Sequence, residues 1–378
     1  VKVGTSTLTA GTRAPDETFV QSLAGQIAAA RAPGREVILV TSGAIAAGLG
    51  RLGLTQRPRD IGSLQAVAAV GQNLLMHTYE AAFRRVGITA AQVLITAGDL
   101  ADRKRFVNFS NALASLFRYG VVPVVNENDT VAVEEVRLGD NDTLSAQVAN
   151  AAGADLLLLL SDTDGVYTAD PRRTADAQRI PVVAKITPDM HLLAERANGP
   201  AAGLGTGGLA TKLRAAEICT SSGIPVVLAR GSQTDVVADV LSGKETGTLF
   251  LPADLRINRR KRWIGYTLVP RGTVTVDAGA RRAVMSGGKS LLPSGIVSVS
   301  GAFGFGDAVR CVDEDGVEFA RGLVNYPHDE IERIRGQKTT AIEGLLGYRY
   351  ADEVIHRDNL VLVGKETGAR RVDEGAEP

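Results

Sequence analysis

Short apolar runs recur along the first two thirds of the chain, and each ends in small or polar residues. Val37-Ile-Leu-Val40 runs into Thr41-Ser-Gly43, and Val121-Val-Pro-Val-Val125 ends at Asn126. Leu156-Leu-Leu-Leu-Leu160 ends at Ser161-Asp162, and Ile224-Pro-Val-Val-Leu228 at Ala229-Arg-Gly231. Residues 88–95 form a further extended stretch. Between these runs lie Ala-rich amphipathic stretches at residues 19–31, 108–119 and 144–152. Apolar runs of this length alternating with helices predict an α/β fold, a largely parallel sheet covered by helices on both faces. The polar and glycine-rich residues cluster just past the apolar runs, where open α/β sheets bind ligands.

The pattern changes near residue 250. Arg256, Arg259, Arg260, Lys261 and Arg262 make a basic stretch that reads as a linker. Beyond it come glycine-punctuated strand signals at residues 272–276, 296–299, 308–312 and 318–324, with a turn at Asp315-Gly316. Such spacing predicts a small β-rich, barrel-like module. The expected organisation is a first domain over residues 1–253, a linker over 254–269, a second domain over 270–363 and a polar, disordered tail over 364–378.

Composition narrows the chemistry. The chain has 378 residues, 44% of them hydrophobic and 22% charged, which fits a globular protein of two domains. Lys+Arg and Asp+Glu are 42 each, so no bulk charge draws the chain to nucleic acid or a membrane. The longest aliphatic run, at residues 156–160, is far short of a membrane span. Two cysteines, Cys219 and Cys311, read as buried thiols in a reducing, cytoplasmic setting. The few His and Cys residues show no metal-ligand spacing, so no protein-held metal site is expected.

Four motifs carry chemistry. Lys2-Val-Gly-Thr-Ser6 puts a cation, bare backbone N–H groups and hydroxyls at a strand end, a set suited to phosphate. Thr41-Ser-Gly-Ala-Ile-Ala-Ala-Gly48 places Ser42 at a helix start, where it can hold an anion or simply cap the helix. Asn126-Glu-Asn-Asp129 and Gly139-Asp-Asn-Asp-Thr143 concentrate four carboxylates and three amides, more than helix capping by Asp142 or Thr143 requires. Gly203-Leu-Gly-Thr-Gly-Gly-Leu-Ala-Thr-Lys212 includes a literal G-x-G-x-x-G, but no strand precedes it; a loop ending in a lysine at a helix start fits polyphosphate better than a dinucleotide. Gly288-Lys-Ser290 lacks the first glycine of a P-loop, and neither a nucleophile elbow nor the protein-kinase motifs are present.

Two distant lysines, glycine-rich loops and an acidic cluster fit phosphoryl transfer, which depends on positioning and charge neutralisation. An acceptor carboxylate needs no general base, because at a pKa of about 4.3 it is already ionised at neutral pH. These motifs, together with Ser161-Asp-Thr-Asp-Gly-Val-Tyr-Thr-Ala-Asp-Pro171, closely resemble the glutamate 5-kinase family. Val274-Thr-Val-Asp-Ala-Gly-Ala280 and Ser290-Leu-Leu-Pro-Ser-Gly-Ile296 resemble the PUA domain fused to many of its members.

The resemblance implies an amino-acid-kinase-like three-layer αβα sandwich with a PUA domain. It implies ATP-dependent phosphorylation of the L-glutamate side-chain carboxylate, the first step of proline synthesis, with Mg²⁺ accompanying the nucleotide. Lys2 and Lys212 are implied as catalytic, with Asp142 orienting them. Ser42, Asp129 and Asn141 are implied to contact glutamate, with Asp140 and Asn126 nearby. Lys2, Ser161 and Asp162, and the stretch Thr206, Gly207, Gly208, Leu209, Ala210, Thr211 and Lys212, are implied to contact ATP. Feedback inhibition by proline sensed through residues 133–138, a homo-oligomer (dimer or tetramer) and functional coupling to glutamyl phosphate reductase are further implications. Arg137 stands where some relatives carry Lys, keeping the charge but not the geometry, and Ser161 stands where relatives often carry Thr, retaining the hydroxyl. Residues 270–378 hold 14 Lys+Arg against 17 Asp+Glu, the wrong sign for RNA binding by the PUA domain. Kinases of the same fold acting on acetylglutamate or aspartate are the nearest alternative.

Overall fold

The computed structural model describes residues 1–32, 34–132, 141–171, 174, 176–197, 208–252, 261, 264–265 and 268–363. The chain divides into two units, Val1–Arg259 and Arg260–Pro378. The expected tail, the 133–138 segment, most of the basic linker and the G-x-G-x-x-G string up to Gly207 lie outside the described residues.

The first unit is built on an eight-stranded sheet. Its strands are β1 (Lys2–Val3), β2 (Leu39–Val40), β3 (Ala90–Ile95), β4 (Val122–Glu127), β5 (Leu157–Ser161), β8 (Val182–Val183), β9 (Val226–Arg230) and β10 (Thr248–Phe250), while β6 (Val166–Tyr167) and β7 (Arg179–Ile180) form a separate hairpin. The order is β3-β4-β2-β1-β5-β9-β10-β8, and only the β9–β10 pair is antiparallel. β1 lies at the centre, with Lys2 opposite Val40 on one side and Leu159 on the other. The chain leaves β1 toward β2 and later returns to its other side as β5. This is a topological switch point, and it opens a crevice at the carboxyl ends of the strands.

Residue alternation along the strands sorts the helices into two layers. Val3, Leu39, Val122, Val124, Leu158, Leu160, Val227 and Ala229 pack against α2 (Glu17–Arg31), α4 (Ile61–Arg85) and α10 (Val236–Leu241). Leu157, Leu159, Val226 and Leu228 face the opposite way, against α7 (Asn141–Ala152) and α9 (Leu209–Ser221). Val40, Ile95 and Val125 share that second layer with α7 and α6 (Arg103–Arg118). With Val3 in the first layer, alternation sends Lys2 into the second. The five-leucine run at β5 is therefore buried on both faces, which is why it reads as continuous rather than alternating.

The second unit holds a five-stranded sheet, β12-β11-β13-β14-β15, formed by β11 (Gly272–Val276), β12 (Ile296–Gly301), β13 (Ala308–Val312), β14 (Glu318–Leu323) and β15 (Leu360–Leu362). The β11–β13 pair is parallel and the other pairs antiparallel. Its own core includes Val274, Val276, Val309, Phe319, Tyr326 and Ile331. Cys311 lies in that core as a free thiol, and burial pushes its pKa up to about 12. Cys219 is likewise buried and outside any disulfide, so both cysteines are the buried thiols expected. Among the described residues no helix is long and apolar enough to cross a membrane.

One helix pair meets at backbone contact. The 25-residue helix α4 packs closely on α3 (Ala44–Arg51). A Cβ on Gly71 would stand 1.7 Å from the Ala44 carbonyl oxygen, and one on Gly48 would stand 1.9 Å from the Val67 carbonyl oxygen. Backbone atoms cannot rotate away, so only glycine permits this approach. Replacing Gly71 with Ala is expected to force the helices apart and to cost at least about 1–3 kcal/mol. Calorimetry should record a Tm several degrees lower. An unchanged Tm would show that the α3–α4 contact is softer than its geometry indicates.

Candidate active site

Three charged side chains from three elements meet beneath the carboxyl edge of the sheet. Lys2 comes from the central strand, Asp142 from the first turn of α7 and Lys212 from the first turn of α9. Lys2 Nζ donates to Asp142 Oδ1 at 2.5 Å, and Lys212 Nζ to Asp142 Oδ2 at 3.3 Å. The residues are 3%, 1% and 8% exposed, so these charges interact in a poorly screened interior. Thr211 Oγ1 donates to Asp142 Oδ2 at 2.6 Å and also to the Gly208 carbonyl at 2.9 Å. Burial alone would raise the Asp142 pKa. The Lys2 and Lys212 charges and the hydrogen bonds from Lys2 and Thr211 outweigh it and hold the carboxyl well below the usual range.

The α7–α9 interface explains how the two helices approach closely enough. It is lined by small side chains, with Ala146 and Ala149 on α7 and Ala215 and Ala216 on α9. Asp142 had been weighed as a helix cap. It lies instead inside the helix, with both oxygens engaged by side chains from other elements.

A second, uncharged network adjoins the triad. Asn141 Nδ2 lies 2.9 Å from the Thr41 carbonyl, 2.9 Å from Asn126 Oδ1 and 3.1 Å from Ser42 Oγ. Asn126 Nδ2 donates to Gln72 Oε1 at 2.7 Å. Ser42 does not cap α3: the capping position is Gly43, at φ 100°, with no side-chain cap. The Ser42 hydroxyl is turned to Asn141, so its own hydrogen can serve a ligand. Thr41 Oγ1 lies 2.8 Å from the hydroxyl of Tyr79, whose phenol is buried and held above its ordinary pKa by that burial.

Asp129 sits on the loop after β4 and is 8% exposed. Burial, and then the nearby Glu127 charge, raise its pKa to about 7, while Arg57 opposes them. A buried carboxylate with a like charge beside it is poised to accept a cation. At β5, Ser161 Oγ donates to Asp162 Oδ1 at 3.0 Å. A cleft of about 580 Å³ adjoins this strand end, lined by Ser6, Thr7, Phe19, Ser161, Asp162 and Gly231 among others.

Of the residues singled out in the sequence, Lys2, Asp142, Lys212 and Thr211 come together in one cluster, and Ser42, Asn126 and Asn141 in a second beside it. Gly208, Leu209 and Ala210 form the start of α9. Asp140, Thr206 and Gly207 lie outside the described residues. The sequence reading missed Gln72 and Tyr79, both on α4, a helix it did not delineate, and gave Thr41 no role within its motif. Among the described residues no group of three or more His, Cys, Asp or Glu side chains could cage a metal. That donor set suits a Mg²⁺ held mainly by phosphate oxygens and water and delivered with the nucleotide.

Comparison with known proteins places this architecture. The amino acid kinase family profile matches residues 1–230 and the PUA domain profile residues 272–346. Glutamate 5-kinase of Moorella thermoacetica is 52% identical over 368 residues, covering 96% of each chain. Glutamate 5-kinases of Geobacter sulfurreducens and Pelobacter propionicus are 49% and 48% identical, again over 96% of each chain. Among solved structures, an isopentenyl phosphate kinase substrate complex aligns at TM-score 0.47 and 19% identity, covering 66% of this chain and 98% of that one. The chain belongs to the amino acid kinase family and, within it, to the glutamate 5-kinases; it is a kinase fused to a PUA domain.

The titration of Asp129 has a testable consequence for stability. Its folded pKa of about 7 lies above the ordinary 3.8, so between these values the folded state binds more protons than the unfolded one. Stability therefore falls as pH rises through this window. Relative to wild type, Asp129→Asn is expected to gain about 1–3 kcal/mol between pH 5 and pH 8 in urea denaturation. A pH-independent difference would show that Asp129 titrates normally.

Proposed function

We propose that this chain transfers the γ-phosphoryl group of ATP to the side-chain carboxylate of L-glutamate, giving L-glutamyl 5-phosphate for proline synthesis. The observation that carries the reading is the convergence of two buried lysine ammoniums on one buried carboxylate at the switch point of the sheet. The family membership and the glutamate 5-kinase relatives support it.

The chemical problem is the approach of two anions. The acceptor carboxylate is already ionised, so no proton has to be removed, and the barrier lies in charge repulsion and alignment. Lys2 and Lys212 answer the repulsion by flanking the migrating phosphoryl group. Asp142 fixes their positions by engaging one ammonium with each carboxylate oxygen. Thr211 locks the second Asp142 oxygen and, with Gly208, Leu209, Ala210 and Lys212, forms the floor for the nucleotide phosphates at the start of α9; Thr206 and Gly207 are assigned to the nucleotide with them. Ser161 and Asp162 contact ATP from the end of β5. Mg²⁺ bound with the nucleotide supplies further charge neutralisation on the phosphate oxygens.

Ser42, Asn126 and Asn141 hold glutamate in the adjoining amide network, with Asp140 beside them. Asp129, once ionised, pairs with the substrate ammonium. Proline competes at this subsite, with residues 133–138 as its sensor. A cytoplasmic dimer or tetramer, handing its labile acyl phosphate to glutamyl phosphate reductase, completes the reading. The acidic balance of the PUA unit argues against RNA binding there.

The test is ATP turnover with hydroxylamine present, comparing L-glutamate, N-acetylglutamate and L-aspartate, with and without proline. Hydroxamate formed from L-glutamate and suppressed by proline is the expected result. Hydroxamate from another acid alone would move the enzyme to a different substrate. Two variants separate the roles. Lys212→Ala is expected to lower kcat by about 100-fold or more, because its charge matters most in the transition state. Asp129→Ala is expected to raise the glutamate KM with less effect on kcat. An effect of Lys212→Ala confined to the glutamate KM would refute its assignment.

A further inference from the structure

Helix α4 carries three polar side chains at seven-residue spacing: Gln65, Gln72 and Tyr79. Seven residues is close to two turns, so the three lie along one side of the helix. Gln65 reaches the loop after β4, Gln72 the end of β4 itself and Tyr79 the residue that follows β2. Gln65 Nε2 donates to the Ala132 carbonyl at 3.1 Å, Gln72 Oε1 accepts from Asn126, and the Tyr79 hydroxyl pairs with Thr41.

The middle contact fixes a direction. The Thr41 carbonyl oxygen can only accept, so Asn141 must turn its Nδ2 toward it. The same nitrogen lies 2.9 Å from the Asn126 side chain, which must therefore present its oxygen. The Asn126 nitrogen then faces Gln72, and Gln72 must present Oε1. The amide orientations support one another along a relay held by the Thr41 carbonyl at one end and by Gln72 at the other. What remains is Asn141 Oδ1, a buried acceptor with no partner among the described residues. An unpartnered buried acceptor calls for a donor, and the ammonium of an amino acid supplies one.

We propose that Gln72 is a positioning residue for the amino-acid substrate: by accepting from Asn126 Nδ2 it keeps Asn126 Oδ1 turned to Asn141, a second acceptor that acts with the Thr41 carbonyl to hold Asn141 Nδ2 inward and leave Oδ1 for the ligand. This inference rests on the reading of the amide network as the glutamate subsite. Gln72 touches neither the lysine–aspartate triad nor the residues assigned to the nucleotide, so its effect is confined to the acceptor substrate.

The test uses the full chain and the hydroxamate assay. Gln72→Met keeps the length of the side chain but removes the acceptor, leaving Asn126 held only from the Asn141 side. It is expected to raise the L-glutamate KM by about tenfold, with kcat and the ATP KM within about twofold of wild type. Gln72→Glu keeps an oxygen where Asn126 donates and is expected to recover most of the loss. Melting curves of both variants accompany the kinetics. An unchanged glutamate KM in Gln72→Met, equal losses for glutamate and ATP, or no recovery in Gln72→Glu would overturn the inference while leaving the enzyme's activity intact. A wild-type protein that forms no hydroxamate from L-glutamate would overturn the functional reading, and this inference with it.

Discussion

One buried carboxylate held between two buried ammoniums is the constraint around which the first unit is arranged. Taking three charges out of water is costly, and removing one partner of such a group leaves an uncompensated charge in the interior. The Lys2–Asp142–Lys212 cluster is tolerable because its geometry is tight and Thr211 satisfies Asp142 further. Two ammoniums converge on that carboxylate, an arrangement suited to meeting the anionic phosphoryl group of the proposed reaction.

The fold supplies the three charges from positions that cannot easily drift. Lys2 belongs to the central strand, paired on both sides. Strand alternation places Val3 in the α2–α4–α10 core and therefore sends Lys2 the opposite way, toward α7 and α9. Asp142 and Lys212 stand on first turns of helices whose alanine-rich faces allow close contact. A one-residue slip of β1 would exchange Lys2 and Val3 between the layers, burying the ammonium in the apolar side and dismantling both the core and the site.

Much of this was legible in the sequence, for identifiable reasons. The parallel strands announced themselves as apolar runs because they are buried on both faces, and the chemistry lay just past their ends. The triad residues were visible because lysine and aspartate in glycine-rich contexts are expensive and therefore conspicuous. Three things were not legible. The antiparallel β10 is three residues long and has no turn signature linking it to β9. Helix α4 mixes small, polar and apolar residues, and its polar stripe repeats every seven positions, so it looked unlike the Ala-rich helices. Gln72 and Tyr79 were missed because amides and phenols are common on helices, and only the tertiary structure turns them toward Asn126 and Thr41.

The two halves of the site are joined by neighbouring residues of a single helix turn. Asn141 reaches the loops of β2 and β4, whereas Asp142 reaches β1 and α9. Successive side chains on a helix diverge by about 100°, so adjacent residues can address two different clusters without competing for space. The arrangement also couples them: any shift of α7 moves the amide that orders the uncharged network and the carboxylate that spaces the lysines by the same amount. Such coupling is useful only if the helix is immobile. That explains why α7 is buried over nearly its whole circumference, from Asn141 to Ala151, and why it is packed with Ala and other small residues on the α9 side rather than presenting a polar face to water. The proposed in-line transfer demands a fixed separation between its two subsites, and one turn of α7 spans the two clusters assigned to them.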